Sequence, residues 1–181
     1  MVEGICFSGL KVLLSTTLPP YFLLADGDGC EVEKMLRMAT CDLSLSVDCR
    51  KLNGKRMLSL DGILDEFSAV YQFPEYFGYN WDALDECIND LDWINARAFV
   101  LILMNFDIML AEYDSGDVDI LVKVLKNACL NWKEGSEDGF QKRNTPFHVV
   151  IHTRIGFDNI ISQVFGPKGI EFSELNIVDY T

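Results

Sequence analysis

Nine consecutive uncharged residues, Ala98–Phe106 (AFVLILMNF), constrain the fold more than any other feature of the chain. The run has the length of a strand and falls far short of a membrane span. Because it lacks polar alternation, both of its faces must be covered, the mark of a central strand in a sheet with helices on it. Phe147–His152 (FHVVIH) reads the same way, and Leu43–Cys49 (LSLSVDC) alternates as a further strand. Helical spacing fills the intervals. Ser59 can cap a helix whose Leu60, Ile63, Leu64, Phe67 and Tyr71 share one face, and Pro74 ends it. Asn80 can cap a second helix with Trp81, Leu84, Cys87, Ile88 and Leu91 inward. Val118–Trp132 is a third, with Ile120, Leu121, Val124, Leu125 and Ala128 as its inward stripe. Strand–helix–helix–strand–helix–strand requires crossover connections, hence an α/β fold with a parallel sheet.

The two ends extend this unit, which occupies residues 43–153. Residues 1–42 hold two apolar runs, Ile5–Leu14 and Tyr21–Ala25, which read as an added pair of strands. The segment Asp26-Gly27-Asp28-Gly29 that follows resembles a calcium loop but lacks its later acids, so it reads as a turn. Residues 154–181 read as a helix over Phe157–Phe165, a Gly-Pro-Lys-Gly turn and a short terminal strand.

A net charge of −13 and a pI near 4.4 oppose binding to nucleic acid or an anionic membrane and favour basic protein partners. Six cysteines without a C-x-x-C pair do not form a disulfide framework. With no signal-peptide pattern and no membrane-length apolar run, the expected compartment is the cytoplasm. His148 and His152 share a strand face but have no third ligand, so no metal site is expected. The chain also lacks a nucleophile elbow, a Walker loop and an H-E-x-x-H motif, and neither enzymatic activity nor a cofactor is expected.

Residues 72–96 (QFPEYFGYNWDALDECINDLDWINA) concentrate the negative charge: Glu75, Asp82, Asp85, Glu86, Asp90 and Asp92, with no lysine or arginine. On a helix from Asn80, Asp82, Glu86 and Asn89 stand at i, i+4 and i+7, with Asp85 between them. Like charges at i, i+4 destabilise a helix by roughly 0.2–0.5 kcal/mol per pair. A row that accepts this cost is expected to serve as an anionic docking surface, the alternatives being a plain solvated face or a metal site.

The stretch from Phe73 to Cys87, PEYFGYNWDALDEC after the phenylalanine, resembles the signature of the barstar family, intracellular inhibitors of barnase-type ribonucleases. The resemblance covers roughly residues 43–153 and implies a small three-stranded parallel sheet flanked by helices. It also implies a bacterial immunity protein of a toxin–antitoxin pair, partnered by a basic ribonuclease or nuclease toxin. In that role Asp82 and Glu86 would be the inhibitory carboxylates, pairing with the cations that hold RNA phosphates. Tyr76 would pack on the enzyme's rim, while Gly78 and Asn80 would shape and cap the loop entering the helix. Asp85 and Asn89 would complete the partner-binding surface. A second reading is an interaction module of the same fold that binds a basic protein other than a nuclease.

Overall fold

The computed structural model describes residues 4–41, 43, 46–112, 115–134 and 144–175. The elements run α1 (Phe7–Leu14), β1 (Phe22–Asp26), α2 (Gly29–Cys41), β2 (Val47–Asn53), α3 (Leu60–Tyr71), α4 (Trp81–Asp90), β3 (Ala98–Met104), α5 (Phe106–Glu112), α6 (Ser115–Glu134) and β4 (Phe147–Thr153). Short helical turns over Asp158–Lys168 then lead to β5 (Phe172–Glu174).

Five parallel strands form one sheet in the order β2-β3-β4-β1-β5. Every residue of β3 and β4 is buried, as expected for strands covered on both faces. On one face, Leu10 and Leu14 of α1 and Val32, Met35, Leu36 and Ala39 of α2 cover Leu23, Ala25, Val100, Ile102 and Val150. On the other, α3, α4 and α6 bring Phe67, Leu84, Ile88, Leu121 and Leu125 against Leu52, Phe99, Leu101, Leu103, Val149 and Ile151. The α/β class follows from this arrangement. Among the described residues no helix is long and apolar enough to cross a membrane.

Several expectations are corrected. The sheet has five strands where three were expected, because β1 inserts beside β4 and carries β5 on its far side. Residues 1–42 therefore supply an integral strand and not an added pair. Ile5–Leu14 is mostly helix, with Leu10 and Leu14 one turn apart on its buried side. A run of ten residues that is mostly apolar, broken only by Ser8, Gly9 and Lys11, shows neither period clearly, which is why a strand was expected there. Helix α2 went unread despite Val32, Met35, Leu36 and Ala39 at helical spacing and Asp28 ahead of them. The first expected strand is displaced to Val47–Asn53 and lies at the sheet edge, where Arg50 and Lys51 reach solvent. Residues 44 and 45 of its expected span lie outside the described residues. In α6, Ile120 is exposed, and Val118 and Val122 take inward places beside Leu121 and Leu125. Gly166–Lys168 continues the C-terminal helical turns instead of forming a separate turn, with Gly169 ending them in the left-handed region.

Candidate functional site

Two regions gather polar side chains, and the first is the surface of α4. Asn80 caps this helix as the sequence requires: its Oδ1 accepts the N–H of Ala83 at 2.9 Å. Its Nδ2 donates to the carbonyl of Gly78 at 3.1 Å, which fixes the entering loop. Asp82 and Glu86 are exposed on successive turns, and Asp90, half-buried, continues the row. Tyr76 is 70% exposed, its hydroxyl 3.5 Å from Oδ2 of Asp90.

Asp85 and Asn89 do not belong to that outward row. Asn89 is only 8% exposed. Its Nδ2 donates to the backbone carbonyl of Asp85 at 2.7 Å and to Oδ1 of Asp85 at 3.2 Å. Its Oδ1 accepts from Nδ2 of Asn131 on α6 at 3.2 Å. Burial pushes the Asp85 carboxyl above its ordinary range, and Asp82 and Glu86 add to this, while the Asn89 donation and Lys123 pull it back. Nearby, Trp81 Nε1 donates to Asp117 at 3.3 Å and Trp132 Nε1 donates to the carbonyl of Ile88 at 3.0 Å. The flank of α4 bearing Asp85 and Asn89 is thus a seam with α6. Asn89→Ala is expected to cost about 1–2 kcal/mol by stranding the groups it bridges. Urea denaturation at neutral pH would measure it, and a loss below the error of the curve would contradict the seam.

The second region lies at the carboxyl ends of the strands. Adjacent strands β1 and β4 send their connections in opposite directions along the sheet, β1 to β2 through α2 and β4 to β5 across the other face. In an open α/β sheet such a switch point is where ligands bind. Here His152 occupies it, 1% exposed. Its Nδ1 accepts the backbone N–H of Asn105 at 3.2 Å, leaving Nε2 to donate to the carbonyl of Gly27 at 3.1 Å. Asn105 turns through a left-handed φ of 56° and donates from Nδ2 to Oδ1 of Asn53 at 3.2 Å. The ends of β2, β3, β4 and β1 are thereby tied into one hydrogen-bonded cluster. Sequence reading placed His152 beside His148 on one strand face but missed this cluster, whose members come from four separate strand ends. Among the described residues no group of three His, Cys, Asp or Glu side chains could hold a metal ion.

Comparison with known proteins yields one family and one group of solved structures that share the fold. The family model described as Barstar (barnase inhibitor) matches residues 47–152, more than half of the chain. No curated protein matches the chain. Among solved structures, the ORC2 protein of Aeropyrum pernix in its ADPNP–ADP complexes is 16% identical, with a TM-score of 0.62 over 93% of this chain and 46% of that one. Drosophila ORC bound to AT-rich DNA and Cdc6 is 16% identical, with a TM-score of 0.52 over 97% of this chain and 55% of that one. Drosophila ORC bound to GC-rich DNA and Cdc6 is 10% identical, with a TM-score of 0.51 over 92% and 27%. The chain spans about half the length of the first two, and at these identities the likeness is one of fold.

These structures correct the function expected from the barstar resemblance. These three structures share the fold over more than nine tenths of this chain and are ORC proteins, not nuclease inhibitors, so the expected immunity role against a basic ribonuclease or nuclease toxin is overturned. The alternative of a module for another basic protein gains no support from them. The exclusion of nucleic acid falls too, since two of the three assemblies are bound to DNA and Cdc6. The whole-chain likeness also limits how far the barstar signature describes this protein, because β1 and β5 lie outside the matched segment. Within that limit, the match over residues 47–152 places the chain in the family described as Barstar (barnase inhibitor).

Proposed function

We propose that the chain is a non-catalytic α/β domain that works inside a protein–DNA assembly of the ORC type. The observation that carries this reading is the extent of the shared fold, 93% and 97% of the chain against two ORC structures. Charge distribution supports a division of labour. Six of the fifteen lysines and arginines, Lys34, Arg37, Arg50, Lys51, Lys55 and Arg56, fall between residues 34 and 56. Lys34, Arg37 and Lys51 line a cavity of about 450 Å³ between α2 and the edge strand β2, where Lys51 pairs with Glu33 at 2.9 Å. A phosphate backbone meets this side, because the rest of the acidic surface repels it. The exposed row Asp82–Glu86 with Tyr76 lies on the opposite sheet face, borne by α4, and faces a protein neighbour.

Tagged chain recovered from its own cells, with and without nuclease treatment, tests the reading. Co-recovery of DNA-bound proteins that is reduced by Glu86→Gln, together with salt-sensitive binding of a duplex oligonucleotide that is reduced by Arg37→Ala, is the expected result. Recovery of the chain alone, with no measurable affinity for the duplex at low salt, would overturn the proposal.

A further inference from the structure

The ORC2 structure that shares this fold is one of ADPNP–ADP complexes, so the strand-end crevice must be tested against a nucleotide. We infer that this chain takes no nucleotide there, because the crevice is sealed by its own side chains. A phosphate-binding strand–loop–helix needs a glycine-rich loop of several residues, free amides at the helix start and a lysine. Here β1 ends at Asp26 and α2 begins at Gly29, which leaves Gly27 and Asp28 as the whole loop. Oδ1 of Asp28 accepts the N–H groups of Cys30 at 2.8 Å and of Glu31 at 3.2 Å. The amides that would cradle a phosphate already hold a carboxylate, and Glu31 adds a second acid in the first turn.

The volume in front of the helix is filled as well. A Cβ on Gly29 would stand 2.7 Å from Cε of Met104 and 3.5 Å from Cε1 of His152. Met104 closes β3 with an apolar side chain where a carboxylate would be needed to hold a phosphate-bound magnesium. His152 is committed to Asn105 and to Gly27, so the loop carbonyl is held inward at the ring. Loop length, charge, filled volume and a committed histidine each oppose a triphosphate. The place that binds ligand in sheets of this kind serves here to join strands.

Two measurements test the inference. The folded wild-type chain is titrated with magnesium ADPNP into the millimolar range while its melting temperature and binding heat are followed. An unmoved melt without saturable heat is expected, whereas a saturable rise of roughly several degrees would overturn the inference. In the second, amide exchange at Cys30 and Glu31 is compared among wild type, Asp28→Ala and Asp28→Asn. Faster exchange in the alanine variant with protection restored by asparagine is expected, and unchanged exchange would show that the Asp28 carboxylate does not occupy those amides. Nucleotide binding would leave the assembly proposal standing, so the two can fail separately.

Discussion

Gly54→Ala is expected to destabilise the fold by about 3 kcal/mol, at the upper end of the usual cost of overpacking. A Cβ at this position would stand 2.5 Å from the carbonyl oxygen of Asn105 and 2.8 Å from that of Met104. Both obstacles are backbone, so no rotamer change relieves them. Nor can the turn retreat, because the preceding residue is held from three directions. The Asn53 N–H donates to Glu66 at 2.9 Å, and its Oδ1 accepts from Lys55 N and from Asn105 Nδ2, both at 3.2 Å. The ends of β2 and β3 would have to separate, breaking part of the cluster around His152. Gly116→Ala is the control, since nothing lies within 4 Å of a Cβ there and alanine favours the helix. Denaturation curves that place the two variants within 1 kcal/mol of each other, by roughly the measuring error of such series, would refute the packing argument.

Lowering the pH from neutrality to 4 is expected to remove about 3 kcal/mol through His148 alone. This imidazole is fully buried, and burial pushes it down from 6.5 to about 4. The unfolded chain takes up the proton near pH 6.5 while the folded chain resists until about pH 4. Stability from His148 is therefore complete above pH 6.5 and drains away as the pH falls between those values. His148→Phe cannot charge, so its stability curve should lack this component, although carboxylates still contribute to both proteins. Parallel urea titrations at pH 7 and pH 4 give the difference, and equal acid losses in wild type and variant would show that the ring is not held neutral.

The middle of the chain was largely legible from its sequence, and the reasons are local. Ser59 and Asn80 cap the helices they precede, accepting from Gly62 and Ala83, and the apolar stripes after them face the sheet. Such features lie within one or two turns of the residues that cause them. Partners distant in sequence were not legible. Tyr21–Ala25 reads as a strand, yet nothing in those five residues says that the strand lies between β4 and β5. The same limit applied to α4. Asn89 lies close to Asp82 around the helix, so spacing alone placed it outward, but α6 covers that flank in addition to the face covered by the sheet. Only the acids on the remaining arc stay free to meet another molecule.

The interior position of β1, between β4 and the edge strand β5, has a consequence for how the chain comes to be folded. Phe22 pairs with Val149, more than a hundred residues later in the chain. During synthesis, β1 emerges early and then waits on the order of ten seconds for its neighbour to be made. Through that interval Phe22, Leu23, Leu24 and Ala25, all buried in the finished sheet, have no strand to lie against. Contacts this distant in sequence also slow the closing step itself. Newly made chain thus passes through a period in which its first strand is open to pairing with other molecules, and the helices of residues 60–134 can pack before the sheet they cover is complete.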